Sequence, residues 1–270
     1  VGIVQSELAS DAEFLRRVSL DMVGTLPTAA EVEAFLADTS SDKRSKKIDE
    51  LLERPAYAAW WATRFADWTG NNAAKLNNAE RSFNNPSAIA SGWYEWLRVR
   101  IEKNEPYDKM MEGIVLAVSR LENESYADYC ERMSGYFQKE PKGSFADQPS
   151  LTYYWARREF LKPEDRALGF AYTFLGIRIQ CAQCHKHPFD QWTKDDFDRF
   201  KEFFGRATFG PAPGSKDEDK ELYTKLGLTD DDLKAKGNDL RKILGEKLTK
   251  GGVVPFNELY SKKVEKQNKQ

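Results

Sequence analysis

Residues 11–38 read DAEFLRRVSLDMVGTLPTAAEVEAFLAD, and this stretch decides the class of the fold. Apolar side chains at Phe14, Leu15, Val18 and Met22 recur at helical spacing, which predicts a helix over 11–23. Gly24 breaks it, and Thr28-x-x-Glu31 is a capping box that opens a second helix through Leu36. The same grammar continues outward. Ser41 or Asp42 caps a third helix with Ile48, Leu51 and Leu52 on its inner face, ending before Pro55. Tyr57 to Trp68 gives a fourth, rich in aromatics and stopped by Gly70, Asn71 and Asn72. Residues 8–70 read as a compact N-terminal helical block.

Asn71 to Pro86 is polar and asparagine-rich, a loop by composition. Trp93–Ile101 and Tyr107–Val118 are two further helices joined at Pro106, and Tyr126–Phe137 is another. Gly143–Pro149 is a loop. Pro163 stands at a helix start, and Thr193-x-x-Asp196 caps a helix carrying Phe197, Phe200, Phe203 and Phe204. Gly205–Gly214 is a loop. Residues 71–209 form the second part of the chain, continuous with the first block, and 210–270 are a charged helical C-terminal extension. Thr229 caps the clearest helix of that extension, with the acidic run Asp230, Asp231 and Asp232 at its N-terminus, and the tail KKVEKQNKQ is expected to fray. Neither an internal repeat nor a strand alternation stands out. The fold class is mostly α: an irregular multi-helix domain with long loops.

Composition narrows the function. The 270 residues are 40% apolar, enough for a core, and 41 Lys+Arg against 43 Asp+Glu leave a net charge of −2. That balance argues against nucleic acid as a partner. The longest apolar run, Leu168–Ile179, is too short to span a bilayer and carries Arg178. The chain starts at Val1 with no leader-like pattern, so it reads as a segment of a longer product. Three cysteines are too few for a disulfide scaffold.

Their placement is more telling. Residues 181–192 read CAQCHKHPFDQW, which holds two of the three cysteines and both histidines of the chain. Cys-x-x-Cys-His is the attachment signature of a c-type haem. Cysteines at i and i+3 share one face of a helical turn and can form thioethers to the haem, while the next histidine can rise onto the iron. The competing readings are a zinc site and a thiol-redox pair. Structural zinc draws its ligands from two separated knuckles, and here there is one. A redox Cys-x-x-Cys belongs at a strand-to-helix junction, which the sequence lacks. One covalent haem c per chain, on Cys181 and Cys184 with His185 as proximal ligand, is the preferred reading.

The stretches DAEFLRRVSLDMVGTLPTAAEVEAFLAD (11–38), KRSKKIDELLERPAYAAWWATRFADW (43–68), PYDKMMEGIVLA (106–117), FLGIRIQ (174–180) and CAQCHKHPFDQWTKDDFDRFKEFF (181–204) resemble the planctomycete-type cytochrome c-like family, a domain of unknown function. The resemblance covers most of residues 8–209. It implies a mostly α domain built around a covalent haem, in an exported protein whose larger relatives carry additional domains. It supplies no demonstrated reaction, and residues 210–270 lie outside it.

Other residues have both a functional and a plain reading. His187 is expected to bond a haem propionate or orient the loop rather than ligate the distal face. Phe189 and Trp192 are expected to wall the haem. Arg178, Arg157 and Arg158 are candidate propionate partners, or solvated arginines. Met133 is the leading candidate for a sixth ligand and Cys130 the second, against a core role for each. With both histidines committed to the motif, no Ser-His-Asp set is available. The functional expectation is an extracytoplasmic monohaem cytochrome domain that passes electrons to a redox partner the sequence does not identify. A haem enzyme or small-ligand sensor is the first alternative, and a zinc or thiol-redox module without haem the second.

Overall fold

The computed structural model describes residues 7–234 and 238–262. The chain is mostly α, as the sequence predicts. It divides into two compact units, one of residues 1–66 and 97–105, the other of 67–96 and 106–270.

The first unit contains α1 (Asp11–Val23), α2 (Ala29–Ala37), α3 (Lys43–Leu52) and most of α4 (Pro55–Thr69). The predicted capping box at Thr28 forms, and a second one, not singled out from the sequence, forms at Ser10. Ser10 Oγ accepts the N–H of Glu13 and Thr28 Oγ1 that of Glu31, while each glutamate reaches back to the cap backbone. Such caps contribute about 1 kcal/mol each by satisfying amides that the first helical turn leaves open. Asp42 precedes α3 without a side-chain cap bond, because its carboxylate pairs with Lys46 instead. Leu15, Val23, Phe35 and Leu51 fill the core, and the rings of Phe14 and Phe35 stack at 5.9 Å.

The helix α5 (Pro86–Glu102) contributes residues to both units. It starts seven residues before the predicted Trp93, because Asn85 caps the Ala88 N–H and Pro86 suits the first helical turn. The second unit continues with α6 (Tyr107–Val115), α7 (Tyr126–Phe137), α8 (Pro163–Phe170), α9 (Lys194–Glu202), α10 (Lys216–Lys225), α11 (Asp230–Lys234) and α12 (Asn238–Thr249). Its core is aromatic: Trp93, Trp96, Tyr126, Tyr129, Tyr153, Tyr154 and Phe256 are essentially inaccessible. Half of their polar tips are paired with backbone carbonyls, those of Trp96, Tyr126 and Tyr129, whereas Trp93 Nε1 and the hydroxyls of Tyr153 and Tyr154 are buried without a partner. Burial of such side chains stabilises by about 1.5–3 kcal/mol each, provided their N–H and O–H groups find acceptors.

Two features depart from the sequence reading. The predicted loop 205–214 contains β1 (Ala207–Gly210), which pairs antiparallel with β2 (Glu258–Ser261) in the register Ala207↔Ser261 to Gly210↔Glu258. Four-residue strands are too short to show alternation, and their pairing is set by residues far apart in the chain. The segment leading into β2 is also deeply buried. Val254 and Phe256 have no exposure, and the carbonyls of Phe256 and Asn257 accept the hydroxyls of Tyr126 and Tyr129 at 2.8 and 2.7 Å. Two charge clusters fasten the same region: Arg81 with Asp219, and Arg120 with Glu258 and Ser215. Thr229 caps α11 through Asp232, as predicted. The expected fraying of the tail concerns residues 262–270, of which 263–270 lie outside the described residues, while the Lys262 N–H donates to the Arg206 carbonyl at 2.9 Å. Among the described residues no helix is long and apolar enough to cross a membrane.

Candidate functional site around Cys181, Cys184 and His185

The approach to the motif begins at α8. Pro163 occupies its first turn, with Glu164 and Asp165 complementing the positive end of the helix dipole. The helix then widens into a π turn over Ala171–Leu175 and stops at Gly176, whose φ of +65° ends the coil. Single π turns within helices mark functional sites often enough to be noted. Three residues later the chain enters a 3-10 turn over Gln180–Gln183.

This turn fixes the orientation of the motif. Ile179 and Ala182 are buried against α9, where Phe197 is also buried, whereas Cys181 and Cys184 are free thiols on the exposed side. The amides of Cys184 and His185 both donate to the Cys181 carbonyl at 3.3 Å, closing the turn. Alternation of inward Ala182 with outward cysteines presents both sulfurs to a ligand outside the fold.

The two histidines differ in their bonding. His185 Nδ1 lies 2.7 Å from the Lys186 carbonyl oxygen. A carbonyl can only accept, so Nδ1 carries the proton and Nε2 keeps its lone pair for a metal. His187 Nδ1 accepts the N–H of Phe189 at 3.3 Å, and the backbone N–H of His187 donates to the Trp192 carbonyl at 2.7 Å. His187 therefore pins the loop 187–192.

Beside the turn lies a cleft of about 80 Å³, lined by Leu175, Ile177, Ile179, Trp192, Phe197 and Phe200, with Asp196 at its rim. Trp192 Nε1 is buried with no acceptor, a donor without a protein partner in an otherwise apolar setting. The structure separates the two expected wall residues. Trp192 lines the cleft, but Phe189 is 94% exposed and stands edge-on to His187 at 6.5 Å, because the loop closed by His187 and Trp192 carries it outward. Leu175 and Phe203 are exposed apolar side chains nearby in sequence to the cleft.

The remaining candidates lie elsewhere in the same unit. Arg178 is exposed, with its guanidinium 5.5 Å from the Tyr172 ring. Arg157 is buried between Tyr154 and Phe160 and bonds the Tyr154 carbonyl and Glu159, which makes it a core clamp rather than a free cation. Met133 is 2% exposed, and its sulfur accepts Gln148 Nε2 at 3.0 Å. Cys130 is fully buried on α7, where burial pushes its thiol up to about 12. Neither lines the cleft. The sequence does not single out Ile177, Ala182 and Asp196 as lining residues; the apolar spacing of FLGIRIQ signals Ile177, and nothing local signals the other two.

A covalent haem fits this donor set: two outward thiols, an imidazole with Nε2 available, and an unpartnered indole N–H at an apolar cleft. Among the described residues, no group of three or more His, Cys, Asp or Glu side chains converges as a metal site. Residues 1–208 match the family described as PSCyt2, Protein of unknown function (DUF1549). No curated protein and no solved structure matches the chain.

Proposed function

The chain belongs to the PSCyt2 family of proteins of unknown function (DUF1549), and from that premise we propose that it is a monohaem c-type cytochrome domain whose role is electron transfer. The observation that carries the reading is the 3-10 turn at 180–183, which turns two free thiols outward next to an imidazole whose Nδ1–H is already committed to the Lys186 carbonyl. Cys181 and Cys184 would hold the group through thioethers and His185 through Nε2. Haem in this position supplies one-electron chemistry at its iron.

The chain's own residues do three things on this reading. The Lys186 carbonyl orients the His185 ring and fixes its tautomer. Ile179 and Ala182 anchor the turn so that the thiols stay outward. Trp192 offers its buried N–H to an acceptor, and Leu175, Ile177 and Phe200 exclude water from the adjoining edge. Attachment of this type takes place outside the cytoplasm, so the domain works in the periplasm or cell envelope, with a separate redox partner and further domains in its full-length protein. A zinc site is disfavoured, since it needs four converging donors and a c-type haem needs one imidazole and two thiols.

The burial of Met133 and the burial of Cys130 favour a second reading: a distal face open to a small ligand. Expression with the haem-attachment machinery and acid–organic extraction test the first proposal. A Soret band that stays with the protein after extraction supports it, and a colourless Cys181→Ala/Cys184→Ala variant completes it. A colourless parent protein rejects both haem readings. Carbon monoxide added to the ferrous form separates them, because fast and complete binding indicates the open face.

A further inference from the structure

A wide cleft of the second unit lies away from the motif, between α12 and the residues that lead into α5. Its volume is about 680 Å³, within the range of about 300–1,000 Å³ typical of small-molecule sites. Phe137 and Phe83, with ring centroids 4.9 Å apart, form an aromatic floor. Arg241, Lys242 and Lys250 line it against a single carboxylate, Glu246.

The amides at the cleft are polarised by their bonding. Asn84 Oδ1 accepts the Asn78 N–H at 3.2 Å, and Asn85 Oδ1 accepts the Ala88 N–H at 3.1 Å. Backbone N–H groups can only donate, so they fix both amides with oxygen inward and leave each Nδ2 to donate elsewhere. Arg241 is held by Asn78 Oδ1 at 2.7 Å and Asn238 Oδ1 at 3.1 Å, while its Nε is buried without a partner. The guanidinium is thus preorganised, with both bonds made by Nη1. The cleft presents three cations against one carboxylate over an aromatic surface.

We propose that this cleft is a binding site for a small ring-bearing oxyanion, a carboxylate or phosphate ester whose ring rests on Phe137 and whose anionic group meets Arg241, Lys242 and Lys250. A neutral ligand is a poorer match, because it leaves the cations without counter-charge. A fork of guanidinium donors suits both carboxylate and phosphate geometry.

The test is calorimetric titration of the full chain at low salt with phenyl phosphate, benzoate, inorganic phosphate and benzyl alcohol. Saturable one-to-one binding of phenyl phosphate or benzoate is expected, at least tenfold tighter than inorganic phosphate, with no saturation by benzyl alcohol. Preference between the two aromatic anions identifies the oxyanion. Lys242→Gln/Lys250→Gln changes only exposed side chains, so it folds as the parent does, and it should weaken binding about tenfold. Arg241→Gln should weaken it further. Absence of saturable binding by either aromatic anion overturns the proposal, as does unchanged affinity in the double lysine variant. Equal affinity for inorganic and phenyl phosphate overturns the role of the aromatic floor.

Discussion

The Nδ1–H of His185 donates to the carbonyl oxygen of Lys186 at 2.7 Å, one residue along the chain. The bond selects the tautomer and the ring plane together, and it leaves Nε2 as the only ring atom able to bind a metal. His187, two residues on, spends its Nδ1 on the Phe189 amide and belongs to the loop. The two histidines therefore have separable roles.

That separation is the first prediction. His185→Ala should abolish the native visible spectrum of the haem-loaded protein and lower haem retention at least tenfold. His187→Ala should leave the axial ligation signature intact and cost about 1 kcal/mol of stability through the lost loop bond. Optical spectra and denaturant titration read the two effects. Loss of axial ligation in His187→Ala would contradict the assignment.

The second prediction concerns thiols in the haem-free chain. Cys181 and Cys184 are exposed, whereas Cys130 is buried and its thiol pushed up to about 12 by desolvation. The thiolate is the reactive form. At pH 8 a maleimide should label two cysteines within minutes and the third only after unfolding. Peptide mapping that finds Cys130 among the fast pair would refute the burial argument.

Much of this arrangement is legible in the residues themselves. α1 spans the residues that apolar periodicity indicates, α7 spans the predicted 126–137, and the Thr28, Thr193 and Thr229 caps form where their spacing puts them. Local rules suffice there because caps and helical periodicity act within a few residues. The strand pair 207–210 with 258–261 was not legible, since each strand depends on a partner about fifty residues away. Phe256 was hidden for a related reason: it sits in a segment that charge made look solvated, yet it fills the aromatic core. At the site, the motif spacing revealed the cysteines and His185, but which aromatic lines the cleft depends on the fold of the loop 187–192. Trp192 and Phe189 are equivalent in sequence and differ in the structure.

Two glycines allow a graded stability test, the third prediction. Gly176 has φ +65° with nothing within 4 Å of an added Cβ, so Gly176→Ala carries backbone strain alone, about 1 kcal/mol. Gly24 has φ +73°, and a Cβ there would meet the Trp60 ring at 2.5 Å. Moving that ring also breaks the bond from Trp60 Nε1 to the Asp21 carbonyl. Gly24→Ala should cost about 3 kcal/mol, the sum of strain and overpacking. Urea unfolding compares the two, and equal losses would show that the Trp60 contact yields without cost.

The last prediction follows from Glu80. Its side chain is 1% exposed, with Oε2 accepting the Asn257 N–H at 2.9 Å and Oε1 unpartnered. The neighbouring cation, Arg81, spends its guanidinium on Asp219 and Tyr126. Burial therefore pushes the Glu80 carboxyl up to about 8 from the usual 4.5, and the Asn257 N–H only partly opposes it. Between those two values the folded chain holds a proton that the unfolded chain has released. Stability from this group is then complete below about pH 4.5 and falls as pH rises through 8, by about 1.4 kcal/mol per pH unit at most. Glu80→Gln keeps the shape and the bond from Asn257 but cannot titrate. Urea unfolding at pH 5, 7 and 9 should show the variant gaining on the parent at each step, by a few kcal/mol in all. Parallel stability curves for the two proteins would mean that Glu80 is ionised in the folded state, with water reaching Oε1.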